Sequence, residues 1–332
     1  MRVLIVKMSS LGDVIHTLPA LTDAAALVPG ITFDWVVEEA FAEIPAWHPA
    51  VDNVIPVALR RWRKHPMSSI GGPEWKKFRS KLARNHYDMV IDAQGLLKSA
   101  FVSRLVRAPR IGMDKASARE GLASTFYHQK FSIPRDMHAV ERIRLLFSKA
   151  LKYELPTQRG DYGVRANLKQ GSDKLPASLL FFHGTARTEK LWPEEYWVSL
   201  ASLQAERGYQ VWLPWGNPVE RARAERIADQ TSNCQVLPQL DLLGLASMLM
   251  EVDGVVAVDT GLAHLSAALD VSTVSLYGPT SIDLIGAYGK NQTHIQSPVG
   301  VDDTDDPLAM MASIKPEMVV QELAKLSAVA AS

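Results

Sequence analysis

Residues able to move a proton follow the first apolar run of the chain, in the segment that holds Ser10, Gly12 and Asp13. Gly12 predicts a tight turn, and Asp13 is placed to open a helix. A carboxylate at a helix start lies in the positive field of the helix terminus and stays ionised. Asp13 can therefore accept a proton from an attacking hydroxyl. A structural interpretation stays open, because Ser10 and Asp13 also have the spacing of a helix-capping box.

Groups that suit a phosphate follow a strand-like run in the second half of the chain. Thr185 and Thr188 offer hydroxyls and Lys190 offers an ammonium. Pro193, followed by acidic residues, indicates that a helix begins directly afterwards. The alternative is a solvated loop whose charge does nothing specific.

A third polar turn, residues 258–264, runs from the end of a predicted strand into a predicted helix. The free amides of such a helix start can bind a diphosphate. Asp259 can instead be a helix cap, and His264 can be a packed core residue. All three segments follow predicted strands, and their coincidence favours a shared ligand site over three unrelated loops.

Basic residues are concentrated between Arg60 and Arg84, a segment that holds nine of them and one acidic residue, Glu74. Four flank Trp62 directly after a predicted strand: Arg60, Arg61, Arg63 and Lys64. This group suits an acidic acceptor or an anionic membrane, where each basic residue adds ~1 kcal/mol. The later residues of the run are more simply the solvent face of a helix.

The elements that position these segments are short β-branched runs that alternate with helical patterns. Apolar runs of this length predict parallel strands buried on both faces, and hence a doubly wound α/β fold. The polar stretch from 152 to 176 breaks the pattern and predicts a domain junction with a hinge. We therefore expect an amino-terminal domain at 1–160, a second domain at 161–312 with a cleft between them, and a carboxy-terminal helix at 313–332. The predicted strands are residues 3–6, 32–37, 51–57, 89–93, 179–183, 210–214, 234–237, 255–258 and 273–277.

Composition excludes several classes of protein. The 332 residues carry 36 basic and 36 acidic side chains, and this balance argues against a nucleic-acid partner. Cys234 is the single cysteine, so neither a disulfide nor a CxxC zinc site is expected. The apolar runs are too short for a signal peptide or a membrane span. We expect a cytoplasmic protein whose contact with a membrane is at most peripheral.

Common nucleotide motifs are absent from the sequence. No GxGxxG follows the first strand and no GxxxxGK[ST] occurs, which weakens dehydrogenase and P-loop kinase interpretations. Asp303 and Asp305 match the DxD pattern of metal-dependent glycosyltransferases. They lie in an acidic run far along the chain from the other motifs, so a solvated loop without a metal is the better interpretation.

Residues 7–21 closely resemble the start of bacterial ADP-heptose:lipopolysaccharide heptosyltransferases, which form glycosyltransferase family 9. The residues that flank Gly12 and Asp13 resemble the branch that adds the first heptose to the Kdo of Kdo2-lipid A. The resemblance covers nearly the whole chain. It includes residues 33–39, 60–64, 90–96, 138–142, 190–195, 213–216 and 258–261.

This resemblance implies a GT-B fold of two Rossmann-like domains and an inverting transfer of heptose from ADP-L-glycero-β-D-manno-heptose, without metal or other cofactor. It also implies peripheral association with the cytoplasmic face of the inner membrane. Asp13 takes the position of the general base. The implied donor-binding residues are Thr185, Lys190, Glu220, Asp259, Thr260, Gly261 and His264, and the implied acceptor-binding residues are Ser10, Gly12, Arg60, Arg61, Arg63 and Lys64.

Two positions depart from the family pattern, and two alternatives stay open. Ala186 replaces a threonine and Leu240 replaces a methionine near the adenine, so donor affinity can differ from that of the family. The alternatives are another GT-B nucleotide-sugar enzyme, either a later-step heptosyltransferase or an epimerase, and a protein that binds an ADP-sugar without catalysis.

Overall fold

The computed structural model of the chain describes residues 1–64, 71–168, 175–300, 304 and 306–330. The chain divides into two compact units, Met1–Asn167 and Leu168–Ser332. Within the described residues, each unit is a parallel sheet of six strands with helices between them. The predicted DxD residues, Asp303 and Asp305, lie outside the described residues.

The sheet of the first unit has the strand order β3-β2-β1-β4-β5-β6. Its central strands are buried along most of their length because helices cover both faces. The strands are β1 (Arg2–Val6), β2 (Thr32–Glu38), β3 (Val51–Val57), β4 (Met89–Asp92), β5 (Arg110–Met113) and β6 (Gln129–Phe131). The helices are α1 (Leu11–Ile15), α2 (Leu18–Leu27), α3 (Glu43–Ala46), α4 (Leu59–Trp62), α5 (Pro73–Leu82), α6 (Leu97–Arg104) and α7 (Ala139–Leu151).

The second unit repeats this topology, with the order β12-β11-β10-β7-β8-β9. Its strands are β7 (Ser178–Phe182), β8 (Gln210–Leu213), β9 (Cys234–Val236), β10 (Gly254–Val258), β11 (Thr273–Tyr277) and β12 (Gln292–Gln296). Its helices are α8 (Glu194–Ala205), α9 (Pro218–Ala228), α10 (Leu242–Glu251), α11 (Gly261–Ala268), α12 (Ile282–Ile285), α13 (Pro307–Ser313) and α14 (Pro316–Ala330).

All nine predicted strands occur, with ends that differ by at most one residue. Three further strands, β5, β6 and β12, were not predicted. They lie toward the sheet edges, and β6 and β12 are largely exposed or half-buried. An edge strand needs no continuous apolar run, so the hydrophobic pattern does not reveal it.

The segment after α7 belongs to the first unit rather than to a free linker. Arg144, which is buried, pairs with Asp23 and Glu141 and donates to the carbonyl oxygens of Pro156 and Gln158. Further along, the Asn167 side-chain amide donates to the Trp47 carbonyl. Residues 152–167, the first part of the interval 152–176 in which the sequence predicts a junction, therefore group with the first unit.

The last helix, α14, packs on α8 and on β11 and β12 of the second unit. Val319 and Leu323 on its inner face are buried in that core. No helix in the described ranges is long and apolar enough to cross a membrane.

Candidate active site

In each unit the strand order reverses between two neighbouring strands, which are the first and the fourth along the chain. They are β1 and β4 in the first unit and β7 and β10 in the second. Ligands of doubly wound folds bind at the carboxyl ends of the strands at such a reversal. All three segments singled out in the sequence stand at these positions. The Asp13 loop follows β1, and the two phosphate-type loops follow β7 and β10.

Asp13 lies in the first turn of α1 with its side chain 23% exposed. The Ser10 amide and the Ser10 hydroxyl both donate to Asp13 Oδ2, at 3.0 and 3.1 Å. Lys7 Nζ lies 3.5 Å from Oδ1, and Arg119 Nη1 lies 3.5 Å from Oδ2. The bond from the Ser10 amide is half of a capping box. A helix cap alone does not explain why Lys7 and Arg119 lie beside the carboxylate.

Charge keeps Asp13 ionised. Burial raises the pKa of this carboxyl, but the Lys7 ammonium, the Arg119 guanidinium and the Ser10 amide together hold its pKa well below the usual range. Helix α1 has five residues, so its dipole adds little and the two side-chain cations are the main source of the positive field. The pKa of the buried Lys7 ammonium is itself lowered, chiefly by desolvation.

Gly12 does not form the tight turn predicted for it. It lies inside α1 with a helical backbone and is absent from the residues with positive φ. The left-handed glycine of this site is Gly95, with φ 68°, in the loop after β4. His16 is buried at the end of α1 beside the ring of His138, as expected for a packed residue.

The loop after β4 fixes the shape of the Asp13 loop. The Gln94 side chain accepts from the Met8 amide at 2.9 Å and donates to the Ser9 carbonyl at 3.0 Å. Lys7 Nζ donates to the Ala93 carbonyl at 3.1 Å, and Lys98 Nζ donates to Ser9 Oγ at 3.2 Å. Gln94 is 5% exposed, so these bonds are protected from water.

A second layer holds the loop after β4 in turn. Asp92 Oδ1 accepts from the Gln94 and Gly95 amides, and the Tyr127 hydroxyl donates to Asp92 Oδ2 at 2.7 Å. Burial raises the pKa values of both Asp92 and Tyr127. A side chain at Gly112 would overlap the Tyr127 ring, so only glycine permits this packing.

The basic group after β3 is divided by the structure. Arg61 bonds Glu39 and Glu74, which share its charge. The guanidinium of Arg60 lies 5.3 Å from the Phe41 ring centroid, and Arg63 and Lys64 are exposed. The four residues therefore do not form one free cationic surface.

Arg60 and Arg63 lie within electrostatic reach of Lys98, which bonds the Asp13 loop. The pKa of Lys98 is lowered, first by burial, and Arg60 and Arg63 lower it further while Glu38 opposes them. Because Lys98 donates to Ser9, these three cations share one region beside the loop. This region suits an anionic group of an acceptor.

In the second unit, the loops after β7 and β10 are joined by direct bonds. Lys190 Nζ donates to Asp259 Oδ2 at 2.5 Å, and Thr185 Oγ1 donates to the Asp259 carbonyl at 3.1 Å. The Lys190 and Asp259 side chains are 11% and 7% exposed. An ammonium has three donors, so Lys190 can hold Asp259 and still donate to a phosphate oxygen.

Thr260 is the N-cap of α11 and Gly261 is its first residue. The first amides of this eight-residue helix therefore start at the carboxyl end of β10, where a diphosphate would meet them. His264 is buried within the same helix. Ala186 lies exposed in the loop after β7.

Glu220, in the first turn of α9, is positioned beside the loop that follows β7. Its Oε2 accepts from the Gly216 amide at 2.7 Å. A Cβ on Gly184 would lie 2.9 Å from Glu220 Cγ, so glycine is needed for this close approach. A cavity of about 400 Å³ at the carboxyl ends of β8 and β9 is lined by Trp215, Arg221, Glu225 and residues 236–239, which immediately precede Leu240.

A second cavity, of about 320 Å³, lies at the opposite ends of the strands in the same sheet. Leu179, Gly254 and Leu323 are among the residues that line it, at the amino ends of β7 and β10. Within the second unit it lies at the other ends of these strands from the loops after β7 and β10. Within the described residues, no group of three side chains is placed to bind a metal ion.

Sequence reasoning missed four residues of this site: Lys7, Gln94, Lys98 and Arg119. The sequence offered one signal for Gln94, because residues 90–96 end a predicted strand with a polar turn. Arg119 comes from irregular chain 106 residues beyond Asp13, where no periodic pattern marks it.

The family model and the relatives of high identity indicate one family. The model of glycosyltransferase family 9 (heptosyltransferase) matches residues 75–305. Lipopolysaccharide heptosyltransferase 1 of Pseudomonas aeruginosa is 56% identical over 298 residues, which cover 90% of this chain and 84% of that protein. The structure of E. coli heptosyltransferase WaaC with ADP has a TM-score of 0.91 at 48% identity, covering 98% of this chain and 100% of that one. WaaC with ADP-2-deoxy-2-fluoro heptose has a TM-score of 0.88 at 47% identity, covering 98% and 99%.

Proposed function

The chain belongs to glycosyltransferase family 9, the heptosyltransferases, and on that premise we propose that it transfers L-glycero-D-manno-heptose from ADP-heptose to the Kdo of Kdo2-lipid A. Its predicted α/β GT-B class is confirmed by the two parallel sheets and by the WaaC structures. The observation that carries the proposal is the Asp13 carboxylate, part-buried and ionised between Lys7 and Arg119.

Asp13 acts as the general base in the proposed reaction. The acceptor oxygen attacks the anomeric carbon, the bond from that carbon to ADP breaks, and the hydroxyl proton passes to an Asp13 oxygen. A carboxylate with a low pKa is a weak base before the reaction starts. It suffices here because the acceptor hydroxyl becomes strongly acidic only as its oxygen bonds the anomeric carbon. One displacement inverts the configuration at that carbon.

The second unit stabilises the departing ADP. Negative charge develops on the diphosphate as the glycosidic bond breaks, and Lys190 and the amides at the start of α11 can offset it. Thr185 holds the Asp259 backbone, Asp259 and His264 serve the heptose side, and Glu220 contacts the adenosine ribose. Because these groups supply the charge stabilisation, we propose that transfer needs no metal ion.

The acceptor side is assigned to the loop of Ser10 and Gly12 and to the cations near it. Arg60 and Arg63 act electrostatically on Lys98, so these three cations are assigned to one anionic group of the acceptor, whereas Arg61 is paired with carboxylates. Lys64 remains a candidate on exposure alone. The acceptor is a membrane lipid, so we place the protein at the cytoplasmic face of the inner membrane, bound peripherally.

The test is an incubation of purified protein with ADP-heptose and Kdo2-lipid A in the presence of a chelator. We expect release of ADP in step with formation of heptosylated lipid, at a rate that added magnesium does not change. Conversion of the donor without the acceptor would favour an epimerase. Donor binding without any turnover would favour a non-catalytic binding protein.

A further inference from the structure

A small apolar surface borders the Asp13 loop in the first unit. Leu97, Phe101 and Leu122 are 42%, 52% and 63% exposed, although side chains of this kind are usually buried. Leu97 and Phe101 stand one helical turn apart on α6 and share a face. Ala100 of that helix packs with Ala123, the neighbour of Leu122. All three exposed side chains therefore lie along one seam, the contact between α6 and residues 121–126.

Residues adjacent to this apolar face bond the Asp13 loop. Its first residue, Leu97, donates its amide to Glu120 at 2.6 Å, and the residue before Glu120, Arg119, approaches Asp13. On the other side, Lys98 follows Leu97 and donates to Ser9. A partner bound to the apolar face therefore lies beside Asp13, the proposed base.

Positive charge surrounds the apolar face. Residues 97–107 contain Lys98, Arg104 and Arg107 and no acidic residue. The guanidinium of Arg104 lies 6.0 Å from the Phe126 ring centroid, on the same seam. Among the described residues, two acids lie near these cations: Glu120, whose carboxylate accepts from the Leu97 amide, and Glu38, which acts electrostatically on Lys98. Apolar side chains ringed by basic ones match a bilayer surface, in which anionic headgroups lie above acyl chains.

We propose that the face formed by Leu97, Phe101 and Leu122 inserts into the interface of an anionic lipid bilayer and so presents the Asp13 loop to a lipid-borne acceptor. The inference deepens the proposed function and rests on it for the identity of that acceptor. Phe101 and Leu122 enter the apolar layer of the bilayer interface, while Lys98, Arg104 and Arg107 contact lipid phosphates. The same contact explains why the face is left uncovered by the rest of the unit.

The test compares the full chain with the double variant Phe101→Ser/Leu122→Ser by flotation with vesicles. Vesicles of phosphatidylglycerol and phosphatidylcholine in equal parts are set against vesicles of phosphatidylcholine alone. The matched control is Leu27→Ser/Leu308→Ser, which removes leucines that are 46% and 55% exposed elsewhere. Thermal unfolding midpoints establish that all three proteins are folded.

We expect wild type and control to float with the anionic vesicles, and the double variant to bind them at least roughly tenfold more weakly. Binding should also weaken with salt and with neutral lipid. Equal binding by the double variant and the wild type would overturn the proposal. So would a dimer of the wild type in lipid-free solution that the double variant loses, because the face would then be covered by a second copy.

Turnover separates this proposal from the proposed function. The double variant should transfer heptose to a deacylated, water-soluble acceptor at the wild-type rate, but transfer more slowly to the acceptor embedded in vesicles. If the double variant also loses transfer to the soluble acceptor, the face serves the chemistry and the bilayer proposal is overturned. If the wild type transfers to neither acceptor, the proposed function fails, while the flotation result still decides the membrane surface.

Discussion

The two units of the molecule share one strand order, but the charged side chains at the point where the order reverses are arranged differently. In the first unit a single carboxylate, Asp13, lies among Lys7 and Arg119 and stays partly open to solvent. In the second, Lys190 and Asp259 neutralise each other below the surface. The fold therefore fixes where chemistry occurs, and a few side chains decide what each site does.

The difference also lies in how each site is held. The Asp13 loop is shaped by a neighbouring loop through Gln94, whose side-chain bonds to Met8 and Ser9 are buried. The loops after β7 and β10 are held by the Lys190–Asp259 pair itself, so the groups that we propose to bind the donor also support the structure. We therefore expect loss of the Asp13 charge mainly to reduce activity, and loss of Lys190 to reduce both donor affinity and stability.

The largest expected effect is that of Asp13→Asn. The amide keeps the shape of the carboxylate but cannot take the acceptor proton, so kcat should fall by roughly 10²–10⁴-fold. Donor affinity, measured by calorimetry with ADP, should stay within about twofold because Asp13 belongs to the other unit. The matched control is Asp136→Asn, an exposed aspartate of the same unit, and its kcat should be unchanged. Near-normal turnover by Asp13→Asn would refute the assignment of the base.

The next effect is that of Lys190→Met, which tests the second site. It leaves Asp259 buried without its partner, so we expect about 3–5 kcal/mol less stability in the second unit. Donor affinity should fall by roughly 10–100-fold as a charged hydrogen bond to phosphate is lost. Denaturant unfolding and ADP calorimetry measure the two losses.

A second substitution separates these two roles of Lys190. Lys190→Met/Asp259→Leu removes the unpaired charge, so most of the stability should return while ADP affinity stays low. Recovery of ADP affinity together with stability would mean that Lys190 acts only as a structural partner.

Gln94→Leu should give a smaller loss, confined to the first unit. It leaves the Met8 amide and the Ser9 carbonyl without their partner, at a cost of about 1–3 kcal/mol. The resulting shift of the Asp13 loop should lower kcat by roughly tenfold. ADP affinity should not change, and Gln129→Leu, at an exposed position of the same unit, is the control. A normal kcat with reduced stability would show that Gln94 supports the fold without positioning Asp13.

Much of this architecture could be predicted from the chain. The apolar runs gave nine strands, and Asp13, Lys190 and Asp259 were found because each follows such a run. Gln94 and Arg119 could not be found in the same way, because their roles arise from contacts between loops far apart in sequence. Gly12 shows the opposite error, since a glycine beside an aspartate indicates a turn, whereas tertiary packing makes it helical.

Arg119→Gln tests the electrostatics of Asp13 through pH. The pKa of Asp13 is depressed in the folded protein, so its stabilising contribution is fully present above the ordinary value of 3.8 and is lost as pH falls below it. Removing Arg119 should raise that pKa and move the acid limb of the kcat profile to higher pH. At neutral pH, kcat should change by less than about threefold, because Arg119 is 62% exposed and its charge is screened. An acid limb that moves to lower pH would contradict the assigned pair.

The smallest effect is expected for Arg61→Gln, and it sharpens the division within the basic group. Arg61 is exposed and already bonds Glu39 and Glu74, so its loss should leave the thermal unfolding midpoint nearly unchanged and the acceptor KM within about twofold. Arg60→Gln/Arg63→Gln should instead raise the acceptor KM by roughly tenfold, because these residues share the field at Lys98. Steady-state kinetics with varied acceptor distinguish the two. A larger effect for Arg61 than for the pair would mean that ligand binding draws Arg61 away from its carboxylates, and that the group acts as one surface.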